Sequence, residues 1–447
     1  MSKLLKRTFI LSSLISLALG QSQLTVYNHG QALVKDKFFR NLPAGQSSIE
    51  IENVAETLNP SSVKLSSGQD LQVLEQNYRY DLVNQDKLLK KYLGSEVTVV
   101  MQNDKKVSGD LLSYTNSTLV LRGRSGTDII QRNYVGSIKC PTPTERLYIK
   151  PTLEWKVDAG TAGKYDLDLS YLTGGISWQA EYVAVMNNND TEMELSSWIN
   201  LNNNSGKAYV DTKLKLVAGD LHRASQPRPT MAVQEKAIYT MDRGARVEER
   251  GFFEYHLYEI GFPVSVNNKE EKQIQWLAPS SLKTLKQFIY EGGGNNFSNI
   301  PIKISFKNDK ETGIGVALPA GIVRLFKQDT DGALELVGED RLKHTSKDDL
   351  VSFEVGKAFD VKGKREVLDR RSKQNRFSEE DIRITLANRK DEAVEINVIQ
   401  SVGYGNWEIL NASEDYKKLD AYRVEFMVSV PANSEISLTY TIHSSLR

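Results

Sequence analysis

The chain has 447 residues, of which 40% are hydrophobic and 26% charged, with 57 Lys+Arg balancing 57 Asp+Glu. That length allows about two to four domains, and the composition is that of a folded globular protein rather than a disordered or fibrous one. The balanced charge gives no electrostatic case for nucleic acid, and a single cysteine, Cys140, excludes an intramolecular disulfide or a multi-thiolate metal site.

Residues 1–20 read as a secretory leader. Lys3, Lys6 and Arg7 form the basic start, Phe9 to Leu19 the apolar run, and Ala18-Leu19-Gly20 the small-residue cleavage site, with cleavage expected before Gln21. The apolar run is shorter than the roughly 18–20 residues of a membrane-spanning helix, and no transmembrane segment is expected elsewhere. Loss of three basic residues and no acidic ones leaves a mature net charge of −3. The protein is therefore expected to be exported, to the periplasm or the cell surface.

An N-terminal β-domain is expected over 21–83, and a short helix plus a small β-barrel over 84–140. Asn84 to Leu93 places Leu88, Leu89, Tyr92 and Leu93 on one helical face, with Gly94 as the stop. Val97–Val100, Val107–Leu112, Leu119–Leu121 and Ile129-Ile130 are short strands between polar turns. This pattern resembles a small five-stranded barrel of the Sm-like or SH3-like kind, an interaction or spacer module. A first β-sandwich follows over 141–222, where Leu167, Leu169 and Tyr171 alternate with Asp166, Asp168 and Ser170. Residues 223–258, with Gln226-Pro227-Arg228-Pro229 and Met241 to Arg246, read as a linker or long loop. A C-terminal β-sandwich is expected over 259–447. There Ile302/Ile304/Phe306, Ile382/Ile384/Leu386, Val394/Ile396/Val398, Val424/Phe426/Val428/Val430 and Ile436/Leu438/Tyr440/Ile442 repeat with period two. Asp329-Thr330-Asp331-Gly332 closes a hairpin, and Glu291 to Asn296 is a flexible stretch. The fold class is mainly β, as antiparallel sandwiches with the small barrel inserted near the N-terminus.

Chemistry is sparse. The five histidines are isolated from one another, and neither a His-Glu-x-x-His nor a Gly-x-Ser-x-Gly motif occurs. Gly160-Thr161-Ala162-Gly163-Lys164 has the glycines of a phosphate loop in miniature. It lacks the length and the hydroxyl residue, so it reads as a turn. Glu379-Glu380-Asp381, Asp348-Asp349 and Glu414-Asp415 are acidic clusters that a polysaccharide hydrolase could draw on. Trp155, Trp178, Trp198 and Trp276 lie in alternating strands and read as core anchors. Trp407, in the glycine-broken stretch Gly403-Tyr404-Gly405-Asn406, is the candidate exposed aromatic for binding. No catalytic, metal or cofactor residue can be assigned, and no cofactor is expected.

The densest blocks are Leu172-Thr173-Gly174-Gly175-Ile176-Ser177-Trp178-Gln179-Ala180-Glu181-Tyr182, and Asn203-Asn204-Ser205-Gly206 with Leu216-Val217-Ala218-Gly219-Asp220. Leu318-Pro319-Ala320-Gly321 to Phe326, Val337-Gly338-Glu339-Asp340, Gly356-Lys357-Ala358-Phe359-Asp360, and Val430-Pro431-Ala432-Asn433-Ser434-Glu435-Ile436 with Leu438-Thr439-Tyr440 complete the set. On these the chain resembles the bacterial family known as domain of unknown function 4139, over roughly 145–447. Some relatives are called mucoidy inhibitor A-like proteins, a name that points to envelope polysaccharide. Those carry a long coiled coil where this chain has the barrel pattern of 94–140. The resemblance implies an exported, β-rich envelope protein and supplies no catalytic residues. Gly174, Gly175, Trp178, Tyr182, Asn204, Gly206, Gly219, Pro319, Gly321 and Asp360 are its signature, read as structural. The expected role is non-catalytic binding of an envelope protein or a surface polymer. A polysaccharide hydrolase using paired carboxylates and a structural subunit of a surface assembly are the alternatives.

Overall fold

A computed structural model describes residues 22–80, 85–142, 148–219, 247–252, 255–373, 377–403 and 405–445. The expected leader and most of the expected linker, including Met241 to Arg246, lie outside them. Strands dominate, and the one α-helix among the described residues is Gln85–Lys91.

Alternation drives the architecture. Leu167, Leu169 and Tyr171 are all buried, and so are Ile382/Ile384/Leu386 and Val424/Phe426/Val428/Val430, as the period of two requires. The strand Gly163–Gly174 pairs along its whole length with Gln31–Leu42, which also pairs with Gln23–Tyr27. Together with Lys64–Ser67, Tyr209–Ala218, Val247–Phe252, Tyr255–Ile260 and Val264–Val266 they make an eight-stranded sheet. A three-stranded sheet of Gly45–Glu52, Thr152–Ala159 and Leu71–Arg79 packs on it. Ile49, Leu153, Trp155 and Val157 share one core with Val34, Leu167, Leu169 and Leu216. The strands of 22–80 thus pack as one unit with Thr152–Ala159, Gly163–Gly174 and Tyr209–Ala218 of the expected first sandwich, while Ile176–Met186 and Glu192–Asn203 go to another sheet. The expected linker also ends earlier than 258, because Val247–Phe252 and Tyr255–Ile260 form a hairpin on the edge of this sheet.

Residues 85–139 are inserted between Leu71–Arg79 and Thr152–Ala159, which are neighbours in the three-stranded sheet. Five antiparallel strands follow the helix: Glu96–Met101, Lys106–Tyr114, Thr118–Arg122, Thr127–Gln131 and Val135–Lys139. The last pairs back onto the first. Leu89 and Tyr92 cap a core of Val97, Val99, Leu111, Leu119, Leu121 and Ile130. Leu93 departs from the predicted helical face. It lies past the helix, 43% exposed, and bridges to Leu111.

The rest of the chain forms two further sheets. One has five strands in the order Glu270–Lys283, Glu192–Asn203, Ile176–Met186, Gly321–Gln328, Leu334–Leu342. The other has nine, in the order Asn406–Leu410, Ser434–Ser445, Phe377–Asn388, Leu350–Lys373, Ser298–Lys307, Leu285–Tyr290, Val394–Ser401, Arg423–Val430, Tyr416–Lys418. Leu350–Lys373 spans two cores. Its first half places Val351 and Phe353 against Tyr182, Leu195 and Val323 of the five-stranded sheet. Further along, Val361 joins Ile384, Ile396, Phe426 and Leu438. The nine-stranded sheet rolls over this second core, bringing Phe426 and Tyr440 from opposite arms into a stack at 5.0 Å. The sheets are mostly antiparallel, as expected. Three pairs run parallel, however: Gln23–Tyr27 with Tyr209–Ala218, Ile176–Met186 with Gly321–Gln328, and Leu285–Tyr290 with Val394–Ser401. Each joins segments over 100 residues apart, a separation that local turn chemistry cannot signal.

Candidate functional site

The signature residues converge where the chain leaves the eight-stranded sheet for the five-stranded one. Gly175, between Gly163–Gly174 and Ile176–Met186, has φ +71°, and a Cβ there would sit 2.7 Å from the Asn204 carbonyl oxygen. Gly174 donates its N–H to the Thr57 carbonyl at 3.1 Å, and the Thr57 hydroxyl donates back to the Gly174 carbonyl at 2.8 Å. The Ser205 carbonyl accepts from the Glu56 N–H at 2.8 Å. Gly206, with φ +84°, lies so close to Glu56 that a Cβ would meet its side chain at 2.3 Å.

The organising side chain is Asn203, fully buried, rather than the exposed Asn204 singled out from sequence. Its Nδ2 donates to the carbonyls of Lys207 (2.8 Å) and Asn267 (2.9 Å). Its Oδ1 accepts from the Ser205 N–H (3.1 Å) and hydroxyl (2.8 Å). Asn203 closes a strand of alternating buried positions, a cue that would have preferred it to its neighbour.

Behind this knot lies a buried ion pair. Lys207 Nζ is 3.4 Å from Asp36 Oδ2 and 3.4 Å from the Tyr171 hydroxyl. The Ser22 hydroxyl donates to the other Asp36 oxygen at 2.5 Å. Burial, reinforced by the Asp36 charge, pushes the Tyr171 phenol well above its ordinary value. Burial and the neighbouring Tyr171 do the same to Tyr209. Both stay protonated and can only donate or accept hydrogen bonds here.

The other signature residues also serve packing. Trp178 is 4% exposed and meets Tyr258 edge-on at 6.0 Å, while the Tyr258 hydroxyl donates to the Ala317 carbonyl at 3.0 Å. Tyr182 donates to the Pro319 carbonyl at 2.7 Å. Gly321 allows the parallel pairing with Ile176–Met186, since a Cβ there would lie 2.1 Å from the Ala180 carbonyl oxygen. Gly219 makes room for the Tyr255 ring. The side chain of Asp360 is exposed, and its carbonyl accepts from the Arg389 N–H at 2.8 Å.

The acidic cluster at 379–381 splits across two faces. On the outer face Arg371 binds both Glu379 (3.3 Å) and Asp381 (2.9 Å). His443 sits 2.9 Å from Glu379, and the Thr441 hydroxyl donates to Asp381 at 2.7 Å. The Thr441 hydrogen bond and then the Arg371 charge hold the Asp381 carboxyl below its usual range. Among the described residues, every carboxyl displaced from its ordinary value moves downward. A wider cleft, about 770 Å³ and lined by Lys303, Asp340, Arg341, His344 and Glu354 among others, has committed partners too. Asp340 accepts from the Glu354 N–H at 2.7 Å, and His344 Nδ1 accepts from the Ala320 N–H at 3.1 Å.

The inner face of the same end of the nine-stranded sheet differs. There a cavity of about 400 Å³ opens at the rim between Glu291-Gly292-Gly293, Arg365, Ile399-Gln400-Ser401 and Arg423. Beneath it Tyr290 and Tyr440 are each 2% exposed; the Tyr290 hydroxyl lacks a hydrogen-bond partner, and the Tyr440 hydroxyl lies within reach of Arg365. Burial pushes both phenols up to about 12, and the Arg365 charge opposes that rise in each. Trp407 lies along this sheet but is half-buried. Its Nε1 donates to the Ala421 carbonyl at 2.7 Å and Lys418 covers its ring at 4.3 Å, so it is not the open platform expected.

No protein with a curated description matches the chain. Residues 167–442 match the family described as domain of unknown function (DUF4139). That span holds every signature residue described above, from the Gly174-Gly175 hinge through Asn203 to Gly321 and Asp360, and the chain belongs to this family.

Proposed function

We propose that the protein is an exported β-scaffold that binds a partner in the cell envelope rather than making or breaking bonds. One observation carries this reading: the signature residues are consumed in the hydrogen-bond knot at Asn203 and the close strand approaches at Gly175, Gly206 and Gly321. A family signature that encloses substrate would line a cavity. This one joins two sheets. The five-stranded unit at 96–139 supports an interaction module of Sm-like or SH3-like kind, because its last strand returns to its first and a helix caps its core. No helix among the described residues is long and apolar enough to cross a membrane.

Fractionation of cells expressing a C-terminally tagged chain tests the reading. The mature N-terminus near Gln21 is expected in the envelope fraction, and pull-down is expected to yield a polymer or protein of that fraction. A full-length chain in the cytosol would overturn export. Release of reducing ends from envelope polysaccharide by the purified chain would replace binding with hydrolysis.

A second reading, a subunit of a surface assembly, is favoured by the edge strand Leu334–Leu342. Its first half exposes Leu334 (55%), Leu336 (56%) and Val337 (46%) at the sheet edge, whereas from Gly338 onward Glu354 and Val355 lie against it. Light scattering decides it: a concentration-dependent oligomer that Leu336→Lys abolishes supports assembly, and a monomer at all concentrations removes it.

A further inference from the structure

The rim cavity of the nine-stranded sheet brings two guanidinium groups, Arg365 and Arg423, to one wall. The Arg365 side chain is 17% exposed, and its ion partner among the described residues is Glu380 at 3.9 Å. Glu380 is held more tightly by Arg370, at 3.0 Å. A guanidinium carries five N–H donors, and burying that charge without close compensation is costly. Tyr290 adds a buried hydroxyl with no partner beside this group, while the Tyr440 hydroxyl lies within hydrogen-bonding reach of Arg365. Tyr290 borders the cavity through Gly292, where a Cβ would lie 2.7 Å from the phenol oxygen.

Arg423 stands on the cavity wall with Gln400 and Ser401. It meets Asp420 through Nε at 2.8 Å. Asp420 is itself bound by the Tyr422 N–H at 2.8 Å, so its charge is shared. Of the acids at the rim, Glu291 is exposed and lines the mouth. The cavity would hold about a dozen waters at their liquid volume, the room a sugar-sized molecule needs.

We propose that this cavity binds a small oxyanion, a carboxylate or phosphate group on a compact polar body, clamped between Arg365 and Arg423. Two guanidinium forks match the planar or tetrahedral oxygens of such a group. Gln400 and Ser401 face the remainder of the ligand, and Gly292 and Gly293 let it approach the backbone. The inference does not depend on export, since it concerns the folded chain alone.

Isothermal titration of the purified full chain with inorganic phosphate, with D-glucuronate and with D-glucose tests it at fixed ionic strength. Saturable binding of phosphate, of glucuronate or of both, with none of glucose, is the expected result, and the better anion identifies the oxyanion. Arg423→Gln and Arg365→Lys should each weaken that binding about tenfold, the cost of losing one forked charge-assisted contact. Arg371→Gln, on the outer face of the same sheet, should leave it unchanged. Glu291→Gln should tighten it, because one like charge is removed from the mouth. Absence of saturable binding by either anion overturns the proposal. So does glucose binding as tightly as glucuronate, or full retention of anion binding in Arg423→Gln. Arg423 is half exposed, so that variant folds even where Arg365→Lys does not.

Discussion

Replacing Lys207 by Met while leaving Asp36 in place probes the buried ion pair behind the signature knot. The Asp36 side chain is 7% exposed and that of Lys207 16%, with 3.4 Å between the charges. At an effective dielectric of about 20, two unit charges at that distance attract by about 5 kcal/mol. Removing one partner leaves a carboxylate buried among Tyr171, Tyr209 and the Ser22 hydroxyl, with no cation to compensate it. Lys207→Met is therefore expected to lower stability by about 3–5 kcal/mol. The pair Lys207→Met with Asp36→Leu removes both charges and should recover most of that loss, since apolar replacement of a whole buried pair is close to neutral. Urea unfolding followed by tryptophan fluorescence reads this out, because Trp155 and Trp178 lie in the same core. A loss below about 1 kcal/mol in Lys207→Met, or a double variant no more stable than the single one, would refute the ion pair as an organising element.

Gly321→Ala should destabilise by about 1–3 kcal/mol in thermal melting, because its methyl meets the Ala180 carbonyl of a central strand, whereas Gly163→Ala, with open space, should not. Asn203→Ala should cost about 2–3 kcal/mol by orphaning the Lys207 and Asn267 carbonyls, and amide exchange should quicken at Glu56 and Thr57. Burial raises the Asp190 carboxyl, but hydrogen bonds from Lys286 and Lys327 outweigh it and hold the group below its ordinary value. Its contribution is thus complete above the unfolded carboxylate range, about pH 5, and fades as pH falls through the folded value. Asp190→Asn should flatten the acid limb of the stability–pH curve, and an unchanged limb would exclude Asp190 as its source. Burial also raises the Cys140 thiol, so alkylation by iodoacetamide should run slower than for a free cysteine thiol at pH 8 and climb further with pH.

Much of this architecture follows from local pattern. Period-two alternation marks which residues of each strand turn inward. Leu167/Leu169/Tyr171 and Ile382/Ile384/Leu386 bury as written, because successive side chains of a strand point to opposite faces whatever its partner is. The short helix, its glycine stop and the Asp329 to Gly332 turn are equally local. Partnership is not. Gln31–Leu42 pairs with Gly163–Gly174 across more than a hundred residues, and Ile176–Met186 finds Gly321–Gln328 in parallel. Alternation specifies a face and leaves the neighbour open, so the expected boundaries at 83, 140 and 222 fall within sheets whose strands come from both sides of them. The same limit hid the candidate site. Glu379, Glu380 and Asp381 are adjacent in the chain, yet the pleat sends Glu380 inward beside Arg365 and Arg370 and the other two outward to Arg371. Arg365, Arg423, Tyr290 and Tyr440 share no spacing that a reader of the sequence could notice. Only the rolling of the nine-stranded sheet, which shields its apolar inner face from water, carries these four residues to one rim.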